Sequence, residues 1–178
     1  IYAASRLEGD DPVANWAEHT ATLKERVNWL NAQNFSALHY TGPGTDLHLG
    51  LADGHIWKGG ASPALNGVVC QPNIPTEEVF TSPHAYKVDG TVAATKPLAH
   101  QGSVIENIAV RFEAGRIVEA TATKGADVLN ALLKTDDGAS RIGEVALVPH
   151  SSPISQSGTL FYNTLFDENA SCHIALGQ

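Results

Sequence analysis

Methionine is absent from all 178 residues. The chain therefore has no initiator residue and reads as starting inside a longer protein or after processing. Cysteine is nearly absent. Cys70 and Cys172 lie far apart without a CxxC spacing, which argues against a disulfide framework and for two small buried residues in a reducing cytoplasm. Basic charge is scarce, with 11 Lys and Arg against 19 Asp and Glu and a formal net charge of −8. Nucleic acid and anionic membranes reward clustered Lys and Arg, so neither is an expected partner. A field of this sign mildly favours cations. No apolar run reaches the roughly 18 residues of a membrane span, and no signal-peptide pattern opens the chain.

What is present describes a globular protein. A hydrophobic content of 43% beside 17% charged residues suits one well-buried domain or two small ones. Asp11-Pro12 followed by Val13, Trp16, Leu23, Val27 and Leu30 predicts an amphipathic helix with Asp11 as N-cap and Pro12 as first helical residue. Residues 31–34 end it. Short apolar runs cut by Gly, Pro and Asn follow at 37–40, 46–51, 67–70, 85–88, 92–95, 105–112 and 117–124. Ala114-Gly115 between two such runs is a hairpin turn. Residues 127–134 read as a short helix, 144–148 as a strand and 149–158 as a loop. The whole is one strand-dominated α+β domain over residues 1–178 with helices packed outside.

Three segments carry residues suited to chemistry. In Asn73-Ile74-Pro75-Thr76-Glu77-Glu78-Val79-Phe80-Thr81, the prolines exclude an ordinary helix or central strand. Pleating sends neighbours to opposite faces, so only one of Glu77 and Glu78 can enter a given site. The plainer alternative leaves both glutamates solvated at a strand entrance. In Arg141-Ile142-Gly143-Glu144-Val145-Ala146-Leu147-Val148, the apolar flank predicts a buried Glu144. Burial demands an ion pair, for instance with Arg141, or a metal. His173 follows Asp167 and Glu168 closely, although a lone His on an apolar segment is more often a satisfied core residue. Two Glu and one His are donors that suit Zn²⁺, Co²⁺ or Mn²⁺, and bridging carboxylates are usual in dinuclear hydrolytic sites.

Other patterns point nowhere. Gly42-Pro43-Gly44-Thr45-Asp46 lacks the Lys of a phosphate loop and reads as a turn. Ser151-Ser152-Pro153 has no GxSxG context. His39, His48, His55, His84, His100 and His150 read as surface residues.

Together the blocks around Glu78 and Glu144, Gly42-Pro43-Gly44-Thr45-Asp46-Leu47, Ser152-Pro153-Ile154 and Phe161-Tyr162-Asn163-Thr164-Leu165-Phe166-Asp167-Glu168-Asn169-Ala170 resemble the thermophilic-type leucyl aminopeptidases of peptidase family M29. The resemblance runs in order from Asp11 almost to the last residue. It implies a cytoplasmic, homodimeric aminopeptidase that takes peptides with a free amino terminus. It also implies a strongly curved, mostly antiparallel, half-barrel-like sheet and two divalent ions (zinc, cobalt or manganese). Glu78, a bridging Glu144 and His173 fall on metal ligands, and Glu168 on a further ligand or supporting group. Glu144 and Glu77 are the candidate catalytic carboxylates. Family members are more than twice this length, and a catalytic Tyr and a His-x-Asp pair follow the point where this chain stops. A non-catalytic fragment and a hydrolase of other amides are the rival readings.

Overall fold

The computed structural model describes residues 1–177. Helix α1 (Pro12–Gln33) is followed by strands β1 (Ala37–Gly42), β2 (Thr45–Leu51), β3 (Ser62–Pro63), β4 (Val69–Cys70), β5 (Val79–Thr81) and β6 (Pro83–Ala93). Then come β7 (Leu98–His100), β8 (Ser103–Ile105), β9 (Ala109–Glu113), β10 (Arg116–Thr121), α2 (Ala126–Leu132) and β11 (Ile142–Leu147). Two short helices, α3 (Pro153–Ser157) and α4 (Thr164–Glu168), precede β12 (His173–Leu176). The fold is mixed and strand-rich, as expected. Contacts divide it into two compact units.

The first unit comprises Ile1–Asn34, Ile56–Thr81 and Ala146–His173. Helix α1 starts where Asp11 Oδ1 accepts from the Ala14 N–H at 2.9 Å and Pro12 supplies the first turn, as the sequence predicts. Leu23 and Leu30 are buried, but Val13 is exposed. Asn31 exchanges two hydrogen bonds with the backbone of Trp57, which is itself buried. A smaller cluster joins Ala4, Ile154 and Ala170 with Phe161 and Phe166.

The second unit comprises Phe35–His55, Ser82–Val145 and the residues from Ile174 onward. Its main sheet has the order β1-β2-β6-β9-β10 and is antiparallel throughout. Leu47, Leu49 and Leu51 alternate inward along β2 and meet Val88, Val110 and Phe112 from paired strands as buried core. Each such leucine stabilises the unit by about 1.5–3 kcal/mol relative to an exposed one. The two-residue turn Ala114-Gly115 has φ of 47° and 82°, the doubly left-handed geometry that suits tight hairpins. Strands β7 and β8 form a separate two-stranded antiparallel sheet. The strand orders are linear, and no described sheet closes on itself.

Several expectations need correcting. The runs expected at 85–88 and 92–95 merge into one strand, β6, which ends at Ala93, because pairing to both β2 and β9 carries the ladder through Gly90. The run 105–112 is two strands, interrupted where Asn107 turns to φ 52°. The expected loop 149–158 contains α3, capped by Ser152 Oγ and opened by Pro153. Helix α4 was not expected and is capped by Asn163. Cys70 and Cys172 are free thiols but exposed rather than buried. Cys70 lies on the two-stranded β3–β4 ribbon, whose residues are all exposed.

Candidate metal centre

The segment from Pro75 to Val79 is buried without interruption. Glu77 is 1% exposed and Glu78 is 6% exposed, so neither is a solvated residue at a strand entrance. The two carboxylates take different partners, as a pleated backbone requires.

Glu77 is braced. Arg6 Nη2 donates to both of its carboxylate oxygens at 2.8 and 2.7 Å, and the Asn169 side-chain oxygen accepts from its backbone N–H at 2.7 Å. Asn169 is fully buried, donates to the Leu165 carbonyl and accepts through its own carbonyl from Ser152 Oγ. His19 Nε2 donates to the Thr76 carbonyl at 2.7 Å and lies 3.6 Å from Glu77 Oε1. Burial, aided by the nearby Arg6 and Arg26 charges, holds the His19 imidazole below its ordinary pKa despite that hydrogen bond. Burial likewise pushes the Glu77 carboxyl up, against the pull of Arg6. An unpaired charge at such depth would cost several kcal/mol, and Arg6 offsets that cost. The sequence offered no sign of Arg6, His19 or Asn169, because their partners lie 71, 57 and 92 residues away.

Glu78 is arranged differently. Its Oε2 lies 2.9 Å from His173 Nε2, yet it is buried and makes no well-directed hydrogen bond. His173 Nδ1 is 3.0 Å from the Ser171 carbonyl. A carbonyl only accepts, so Nδ1 carries the proton and a neutral ring presents its Nε2 lone pair to the carboxylate. Two lone pairs at that distance repel unless a proton or a cation lies between them. Burial lowers the imidazole pKa, but contact with Glu78, the Ser171 carbonyl and the Glu78 and Glu168 charges outweigh it, and the net result is raised.

Glu144 stands on β11 in the second unit and is half-buried, where the apolar flank predicted full burial. Two ligands on one zinc ion sit roughly 3.3 Å apart given zinc–ligand bonds of about 2.0–2.2 Å, so Glu78 Oε2 and His173 Nε2, 2.9 Å apart, need only a small movement to admit an ion. The buried Oε2 and the Nδ1-anchored imidazole are what a metal ligand set requires, and the residues fit a borderline divalent ion. Glu168 acts on His173 by its charge. Arg141 donates to the Ala85 carbonyl at 2.7 Å and stacks over Tyr86.

The position of Glu78 depends on Gly59. A Cβ there would lie 2.8 Å from the Glu78 carbonyl oxygen and 3.1 Å from a Val79 methyl, so only glycine allows the two backbones to approach.

Comparison with known proteins agrees with this chemistry. The profile of the thermophilic metalloprotease (M29) family matches residues 1–178. Aminopeptidase T of Thermus thermophilus is 54% identical over 178 residues, which are 100% of this chain and 44% of that protein. Aminopeptidase 2 of Geobacillus stearothermophilus is 51% identical over the same span, 43% of its length. The solved structure of wild-type AmpT from Thermus thermophilus superposes with a TM-score of 0.90 at 56% identity, covering 94% of this chain and 42% of that one. The chain thus spans less than half the length of these relatives.

Proposed function

The chain belongs to the M29 family of thermophilic metalloproteases, and on that premise we propose that it forms most of the catalytic domain of a metal-dependent aminopeptidase. Glu78, Glu144 and His173 would be ligands, with Glu144 bridging two divalent ions (zinc, cobalt or manganese). The observation that carries this reading is the His173 imidazole set 2.9 Å from a buried Glu78 oxygen that lacks a directed hydrogen bond. When bound, such ions supply a water of lowered pKa and polarise the peptide carbonyl.

The chain's own residues do the rest. The Ser171 carbonyl fixes the His173 ring so that Nε2 faces Glu78. Glu144 would act as a catalytic carboxylate by holding the ions, and Glu168 is the carboxylate proposed to shuttle the proton of the attacking water. Glu168 adds negative charge beside His173 and serves as a further ligand or as support for one. Glu77, whose carboxylate is committed to Arg6, braces the segment that presents Glu78, and a direct catalytic part for it would require breaking that pair. By the family pattern, a Tyr would assist catalysis and a His-x-Asp pair would complete the metal site, all three lying outside this chain. The substrate is a peptide with a free amino terminus. A cytoplasmic homodimer with a strongly curved, half-barrel-like sheet belongs to the same proposal, and among the described residues no helix is long and apolar enough to cross a membrane.

Replacing Glu144 with Gln in the full-length protein tests the reading. Release of amino-terminal leucine should fall by at least about 100-fold, with loss of bound metal. Normal turnover by E144Q, or equal cleavage of amino-blocked peptides, would overturn it.

A further inference from the structure

A second group of donors lies on the hairpin of β1 and β2 in the second unit. The turn at Pro43-Gly44 sets a register in which His39 pairs with His48 and Tyr40 with Leu47. Partners across an antiparallel pair share a face, so the two imidazoles stand side by side opposite the buried leucines of β2. Their rings are stacked with centroids 3.8 Å apart and planes 14° apart. Asp46 lies two residues before His48 and therefore on the same face.

All three side chains converge. His39 Nε2 is 2.7 Å from Asp46 Oδ1, and His48 Nε2 is 3.9 Å from the same oxygen. The first distance is a hydrogen bond, and the second is too long for one. Both rings turn Nε2 toward the same carboxylate oxygen, which accepts a hydrogen bond from His39. Asp89 pairs with His48 from β6 on the same face, and its Oδ1 is already taken by the Ala114 N–H.

We propose that His39, Asp46 and His48 form a surface site for a borderline divalent transition ion such as Zn²⁺, Ni²⁺ or Cu²⁺, separate from the catalytic centre. Two neutral imidazoles and one carboxylate are the donor set these ions prefer over Mg²⁺ or Ca²⁺. A bound ion would replace the His39 proton, draw His48 Nε2 in as a second nitrogen donor and remove the mismatch between the two distances. Register makes the site: six consecutive pairs hold β1 against β2, so the donors are carried on regular strands rather than on a loop.

Equilibrium dialysis of the full-length protein against ZnCl₂ tests the site, with the H39A/H48A double variant alongside. The double variant should bind one equivalent less zinc at saturation while cleaving leucyl substrates at the wild-type rate. Both histidines are exposed, and circular dichroism would check that the hairpin is intact. Asp46→Asn retains an oxygen to accept from His39 but removes the charge, and should weaken the same equivalent by tenfold or more. With Cu²⁺ as probe, electron paramagnetic resonance of wild type should show nitrogen hyperfine splitting that the double variant loses. Equal zinc stoichiometry in wild type and double variant, or a D46N shift below about threefold, would overturn the proposal. Because catalytic activity is read separately, failure here leaves the aminopeptidase reading standing, and the converse holds.

Discussion

The Glu78–His173 pair and the His39–Asp46–His48 group contain the same donor types in different surroundings. In the first, Glu78 is 6% exposed and its Oε2 has no directed hydrogen bond. In the second, all three residues are exposed and the carboxylate is served by an imidazole. The difference teaches that donor identity sets which ion a group prefers, whereas burial sets what it costs to leave the group unpaired. A buried carboxylate oxygen without a directed partner stores that cost. An exposed one hands it to water.

The largest effect should come from removing the brace of the buried region. Arg6→Ala leaves Glu77 buried beside a neutral His19, and should destabilise the protein by about 3 kcal/mol in urea unfolding. A loss below about 1 kcal/mol would mean that Glu77 relaxes to solvent and that the two regions differ less than they appear. Next, Gly59→Ala forces a Cβ to 2.8 Å from the Glu78 carbonyl. Overpacking of this kind costs about 1–3 kcal/mol, and the shift of Glu78 should weaken metal binding as well. Unchanged metal affinity in G59A would show that the close approach does not position Glu78.

The third test uses pH on chelator-treated protein. His173 has its pKa raised above an ordinary 6.5, so the folded state holds the proton more tightly than the unfolded chain. Its stabilisation is complete below about pH 6.5 and is lost as pH rises through the folded value. Glu78→Gln should flatten that decline. Asp46 is shifted the opposite way from 3.8, so its contribution is present above that value and is lost as pH falls through the lowered one. The two regions thus respond in opposite pH windows, and a decline above pH 6.5 that survives E78Q would break the comparison. The smallest effect should come from H39A/H48A, whose exposed pairings stabilise the fold by well under about 1 kcal/mol. A melting temperature matching wild type would agree with that.

Sequence reading reached the fold class, the first helix and the Ala114-Gly115 hairpin because each depends on near neighbours. Asp11 caps a helix three residues away, and a two-residue turn closes on itself. It failed at α3 and α4, which are five residues each and too short for periodicity to register. The separation of Glu77 from Glu78 was legible as a pleat argument, but which of them found Arg6 was not. The six scattered histidines read as surface residues. Three are indeed exposed, yet the pairing of His39 with His48 became visible only from the strand register on either side of the Pro43-Gly44 turn.

By itself, then, the sequence determined the donor chemistry: carboxylates and imidazoles, a net charge of −8, and the motifs that mark the M29 family. Those properties reside in residue types and local spacing, which any conformation of the chain retains. Only the tertiary structure decided which donors meet. Glu78 and His173 are 95 positions apart in sequence yet lie 2.9 Å apart in space. That juxtaposition comes from strand order and from backbone packing at Gly59. It also decided which carboxylate is buried, and burial is what turns a glutamate from a solvated charge into one that requires a partner.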